Sequence, residues 1–299
     1  MSGKAAATKV DLPDVSGAAI QGARSEQQDA YRLRWIEKEN AWLLVLADGM
    51  GGHAGGGLAS RIAVDGFVAA FTSQRSGGAT LEDAFLESLR DANARIAQMQ
   101  KAQLELADMG TTIVAAYLSS AGVSWVSVGD SPMWVFRDWH LHRLNEDHSM
   151  RELAGNAKNL RNMLQSVLNG QPIPMVDCHA APLALQAGDI LLLSSDGILT
   201  LSEGEIADIV GRYAARDTQS IANALLHGVA AYQKSNQDNC SLVIALPPVS
   251  ESSSAGTTGF LSSLKSPAEI FAATAPVAAS ALAGFLTVIA AYYFFFAPS

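Results

Sequence analysis

Three apolar runs in this 299-residue chain end on aspartate: WLLVLAD at 42–48, VSWVSVGD at 123–130 and DILLLSSD at 189–196. Each is short and rich in branched or aromatic residues, so each reads as a buried strand. A fourth run, CSLVIAL at 240–246, follows closely on Asp238, and Asp29 precedes a further strand expected at Tyr31–Ile36. Any fold for this chain must place carboxylates at the ends of core strands. A single such aspartate is commonly an Asx turn, its side chain bonded to nearby backbone N–H groups. Asp29, Asp48, Asp130, Asp196 and Asp238 together raise a different problem. Gathered at one core edge, they repel one another unless a cation neutralises them. Aspartate oxygens with glycine-exposed carbonyls make a hard oxygen shell suited to Mg2+ or Mn2+. No His-x-x-x-His or cysteine pair accompanies them, which argues against zinc. Spacing alone leaves their convergence open.

The segments between these strands set the fold class. Residues 59–71 and 80–106 repeat apolar positions at helical intervals, and 203–213 and 218–233 also read as helices. TTIVAAYL, VSWVSVGD and MWVFRD are separated by SSAG and SP turns, the pattern of an antiparallel meander. Helices come in pairs between groups of strands, without a βαβα rhythm. Antiparallel sheets covered by helices are therefore expected.

Composition excludes some classes. With 49% hydrophobic and 16% charged residues the chain is not wholesale disordered. A net charge of -9 and no Lys/Arg cluster give no basis for a nucleic-acid partner. Cys178 and Cys240, without CxxC spacing, are expected to be ordinary thiols. Residues 1–18 read as a flexible leader with no apolar signal region, 19–246 as the domain, and 247–276, opening PPVSESSSAGTTG, as a linker. The uncharged 277–297 is long enough as a helix, roughly 30 Å, to cross a bilayer core, and is expected to be a transmembrane helix.

The motifs GARSEQQDA (22–30), LADGMGGHAGG (46–56), GTT (110–112), VGDS (128–131), NEDHS (145–149), DILLLSSDGI (189–198) and NQDN (236–239) follow in order. As an ordered set over roughly 18–246 they resemble the PP2C-type (PPM) protein serine/threonine phosphatases, above all the bacterial members. The resemblance implies an α+β fold, a four-layer α/β/β/α sandwich of two antiparallel sheets flanked by helices, with a metal centre at one edge. It implies two Mg2+ or Mn2+ ions bridged by Asp48, with the Gly49 carbonyl on one ion and Asp196 and Asp238 completing the other site. Asp29 matches a carboxylate acting at the metals directly or through water. Asp130 matches the residue that holds a third, weaker ion, and Arg24 the arginine that grips the substrate phosphate. The implied reaction is hydrolysis of phosphoserine and phosphothreonine in proteins by a metal-activated water, with no protein nucleophile. The implied partners are phosphorylated proteins, a Ser/Thr kinase or its substrates. With the expected anchor, the chain is placed at the inner membrane, single-pass, its catalytic domain in the cytoplasm. A rival reading is a catalytically weak, membrane-tethered scaffold that binds phosphoproteins; the intact set of aspartates argues against it.

Three positions depart from the family pattern. Met50 stands where eukaryotic members carry a histidine assigned as general acid. The first motif reads Gln27-Gln28-Asp29, and Pro132 replaces the arginine of GDSR. Residues 150–182 correspond to the variable flap, where Arg161 is more simply a solvated helix residue than a substrate contact.

Overall fold

The computed structural model describes residues 14–51, 55–150 and 163–247. The aspartate-ending runs are strands buried on both faces. In β3 (Ala41–Met50), Leu43, Val45 and Ala47 join one hydrophobic cluster, while Leu44 and Leu46 join another. In β10 (Ile190–Ser194), Ile190 and Leu192 face one way and Leu191 and Leu193 the other; β11 (Cys240–Leu246) alternates in the same manner. Side chains alternate across a strand, so burial of both faces demands an uninterrupted apolar run.

Among the described residues the strands, numbered in chain order, form two sheets, antiparallel throughout. One runs β1 (Asp14–Ile20), β11, β10, β7 (Met133–Arg137), β8 (His140–Arg143). The other runs β2 (Asp29–Ile36), β3, β5 (Ile113–Ser119), β6 (Gly122–Val128), β9 (Asp177–Leu183), with the short β4 (Gly110–Thr111) on the end of β3. Leu44, Leu46, Val114, Leu191, Leu193 and Val243 fill the space between the sheets. Helices α1 (Gly55–Ser76) and α2 (Leu81–Ala102) cover the outer face of the second sheet through Phe67, Phe71, Phe85 and Leu89. Helices α3 (Glu203–Tyr213) and α4 (Thr218–Ala231) cover the first through Ile206, Val210, Ile221 and Leu225. The layers are therefore helix, sheet, sheet, helix.

Two boundaries differ from the sequence reading. β1 begins at Asp14, within the expected leader, and pairs with β11 along its whole length. α1 begins at Gly55, ahead of the periodic apolar positions, because the buried glycines 55–57 allow the helix start to lie close against the 27–28 and 109 backbone.

The expectation of a transmembrane helix is corrected. No helix among the described residues is long and apolar enough to cross a membrane, and 277–297 lies outside those residues. The long helices α1 and α2 each place an apolar face on the sheet and carry charges elsewhere, as in Arg61, Asp65, Glu87 and Arg90. Among the described residues the fold class is thus the four-layer sandwich, with no membrane helix. The inner-membrane location and the membrane as a partner are withdrawn with it.

Candidate metal centre

Strand register brings the aspartates to one end of the sandwich. Asp29 lies directly opposite Asp48 on paired strands β2 and β3. Both alternate in step with Tyr31, Leu44 and Leu46, so both belong to the face between the sheets. In the other sheet Ser194 pairs Leu242, and Leu193 pairs Met133, so Asp196, Asp130 and the start of β11 leave the sheet at that same end. Asp238 lies two residues before Cys240, which pairs Ile20 at the end of β1.

The electrostatics register this proximity. The Asp48 carboxyl is held well above the usual carboxylate range, first by burial and then by the negative fields of Asp29, Asp196, Asp130 and Asp238. Burial pushes Asp29 up to about 6, against the hydrogen bond from Ser195 that favours its charged form. Asp29 Oδ2 accepts from Ser195 Oγ at 2.7 Å, while its Oδ1 is buried with no hydrogen-bond partner. Arg24 Nη2 lies 2.6 Å from Asp238 Oδ2, and Asp238, Asp196 and Asp48 all favour the charged guanidinium.

Local hydrogen bonds hold these groups in place. Asp48 N–H donates to Thr112 Oγ1 at 3.0 Å, and its carbonyl accepts from Thr111 Oγ1 at 2.8 Å and Thr112 N–H at 2.9 Å. Gly49 N–H donates to the Gln28 carbonyl at 3.2 Å. Buried Asn239 accepts from Gln28 N–H at 2.8 Å and donates to the carbonyls of Gln21 at 2.7 Å and Glu26 at 3.0 Å, fastening both sides of the loop that carries Arg24. Behind Asp130, His148 Nδ1 accepts from Gly129 N–H at 3.2 Å, Asn145 Nδ2 donates to the Ser131 carbonyl at 2.9 Å, and Arg143 Nη2 donates to the Asp130 carbonyl at 3.0 Å. Sequence reading assigned no role to Ser195, Asn145 or His148; their motifs were visible, their contacts were not. Pro132 leaves the sheet intact, since its carbonyl accepts from Ser194 N–H at 3.0 Å. Met50 pairs with Gly110 at the end of β3. Arg161 lies outside the described residues.

These residues fit a hard divalent cation by kind. They are carboxylates, of which Asp29 and Asp48 have raised proton affinity, and one buried oxygen of Asp29 lacks a donor. Among the described residues, no three His, Cys, Asp or Glu side chains converge tightly enough to enclose an ion as they stand. A thiol does not compete: Cys240 is buried, and burial with the nearby carboxylates keeps it protonated.

The family follows from comparison. A family model of protein phosphatase 2C matches residues 17–229, and the chain belongs to that family. The serine/threonine phosphatase stp of Listeria welshimeri is 32% identical over 187 residues, 58% of this chain and 73% of that protein. The PPM Ser-Thr phosphatase MsPP of Mycobacterium smegmatis, solved with cacodylate, is 28% identical with a TM-score of 0.63 and covers 78% of this chain and 97% of its own. The catalytic domain of PstP, solved with two manganese ions, is 25% identical with a TM-score of 0.64 over the same shares, 78% and 97%. Family membership supports a hydrolase of the metal-dependent Ser/Thr phosphatase type, and the manganese-bound relative supports dependence on a divalent metal.

Two predictions arise here. Asp29 has its folded pKa raised from 3.8 to about 6, so its contribution to stability is present below the lower value and is lost as pH climbs through about 6. A divalent ion takes the ionised form. The rise in Tm on adding Mn2+ is therefore expected to be large at pH 7.5 and to shrink as pH falls through 6. Differential scanning fluorimetry across pH checks this, and an equal rise at pH 5 would contradict it. Asn239→Ala leaves buried backbone groups unpaired. It is expected to cost about 1–3 kcal/mol of stability and, by loosening the Arg24 loop, to raise KM more than it lowers kcat. Thermal unfolding and steady-state kinetics check both.

Proposed function

We propose that this chain hydrolyses phosphoserine and phosphothreonine in proteins and opposes a bacterial Ser/Thr kinase. In this reading Asp48, the Gly49 carbonyl, Asp29, Asp196 and Asp238 would hold two Mg2+ or Mn2+ ions, and Asp130 would serve a third, weaker one. Bound there, the ions supply an activated water and neutralise charge on the phosphate. Thr111 and Thr112 fix the backbone from which Asp48 projects, and rigid placement is what such a centre needs. Arg24, exposed and anchored at Asp238, presents a planar fork that matches two phosphate oxygens. Ser195 holds Asp29 by its hydroxyl, which leaves that hydroxyl committed to positioning.

The observation that carries the reading is the facing pair Asp29–Asp48, with an undonated oxygen, on the inner face at the sheet end. Two carboxylates so placed are costly without a cation. The rival is a phosphoprotein-binding scaffold without turnover. Incubation with a phosphothreonine peptide and Mn2+, followed by mass spectrometry, separates the two. The proposed enzyme returns dephosphorylated peptide; a scaffold retains it unchanged. Phosphoproteomics of a deletion strain tests the kinase-opposing role, and no gain of phosphate at any Ser/Thr site would remove it.

A further inference from the structure

Beside the carboxylates the protein surface sinks into a cavity of 460 Å3, whose wall includes Asp196, Leu199, Thr200, Lys234, Asn236 and Asp238. That volume falls within the range of ligand clefts, about 300–1,000 Å3. Among the described residues of this wall, Lys234 is the only cation. A lysine head normally sweeps freely on a flexible stem. Here the ammonium donates to Thr200 Oγ1 at 3.2 Å and stands 5.7 Å from the centre of the Tyr232 ring. Both supports are themselves fixed. Thr200 Oγ1 donates to Gln237 Oε1 at 2.7 Å, and buried Gln237 donates to the Asp238 carbonyl at 3.1 Å. The Tyr232 hydroxyl donates to Glu205, the acidic member of the capping box that starts α3. Lys234 is exposed, and among the described residues no carboxylate forms an ion pair with it.

We propose that Lys234 and this cavity form a subsite for an acidic side chain of the substrate, so that phosphopeptides with Asp or Glu close to the phosphorylated residue are preferred. The proposal rests on the phosphatase reading above. The phosphate goes to the centre, where Arg24 serves it, and the polypeptide leaving the centre along the Asp196–Asp238 rim passes the ammonium. In a chain of net charge -9 an unpaired, held cation at that rim selects for a carboxylate and against a substrate lysine. Held polar supports, and an ammonium that no carboxylate pairs with among the described residues, lower the cost of meeting it although Asp196 and Asp238 share the wall.

The test compares phosphothreonine peptides that carry Glu or Lys at one position, for each position flanking the phosphothreonine, in the presence of Mn2+. The readout is the ratio of kcat/KM for the Glu and Lys peptides, which cancels differences in overall activity between enzymes. At one or more positions the wild type is expected to favour Glu by roughly threefold or more, the scale of an exposed ion pair. Lys234→Ala should bring that ratio near one, and Lys234→Glu should invert it. High salt should flatten it in the wild type. Equal ratios in all three enzymes at every position would overturn the subsite while leaving the phosphatase reading standing. Failure of the wild type to dephosphorylate any peptide would overturn the phosphatase reading and the subsite with it.

Discussion

Asn in place of Asp48 is expected to lower Mn2+-dependent phosphatase turnover by at least about 10^3-fold, roughly 4 kcal/mol in the barrier, without unfolding the protein. The substitution keeps the shape of the side chain and removes the charge that faces Asp29 across paired strands. Nothing in the backbone anchorage of this position uses the carboxylate. Its N–H bonds to Thr112 and its carbonyl accepts from Thr111 and Thr112. Burial and four neighbouring aspartates already disfavour an ionised Asp48, so the neutral variant should unfold no lower than wild type without metal. Mn2+ should raise its Tm far less. Kinetics on a phosphopeptide, paired with melting curves with and without Mn2+, check the two halves separately. Turnover within about tenfold of wild type would remove Asp48 from the bridging role.

Gly49→Ala is expected to damage both fold and activity. A Cβ at this position would stand 2.1 Å from the Gly56 carbonyl oxygen and 2.6 Å from that of Gln28. Both obstacles are backbone, one at the start of α1 and one in the loop leading to β2, so no flexible side chain can yield. Overpacking commonly costs about 1–3 kcal/mol, and the upper end or beyond is expected here. The relief must come from moving β3 away from α1 or from Gln28, which shifts Asp48 against Asp29. Misplacement by about 1 Å is enough to cost roughly 10^2-fold in rate. Chemical denaturation and kinetics at saturating Mn2+ measure the two effects. Unchanged stability would mean that the glycine contact is loose.

How far the sequence was legible depended on burial and on distance along the chain. β3, β10 and β11 are buried on both faces, so their uninterrupted apolar runs announced them. The edge strands β8 and β9 were not expected. HLHR and DCHAAPL are half-exposed, and an edge strand needs neither a full apolar run nor clean alternation. β1 was read partly as leader because DVSGAAI is small and weakly hydrophobic; its pairing with β11 supplies what its side chains do not. The turn glycines at 55–57 hid the first turn of α1, since glycine lowers helix propensity while permitting close packing.

The aspartates were visible one by one, each at a strand end. Their convergence is a matter of register between strands that include a pair, β1 and β11, more than two hundred residues apart, which no local pattern encodes. The ordered motifs bridged that gap by resemblance. Supporting contacts were less accessible still. Neither Ser195 in SSD nor Lys234 ahead of NQDN carries a local mark of its contacts. The apolar stretch 277–297 satisfied a length rule for a membrane helix, yet the described residues contain no such helix, and length and hydropathy alone carried that expectation.

The most direct test of the central claim is release of inorganic phosphate from p-nitrophenyl phosphate and from a phosphothreonine peptide by the full chain, with Mn2+, with EDTA, and with Mn2+ restored after chelation. Turnover that appears with Mn2+, disappears with EDTA and returns on restoration is the predicted result. Absence of turnover under all three conditions, or turnover indifferent to EDTA, would contradict a metal-dependent phosphatase built on Asp48.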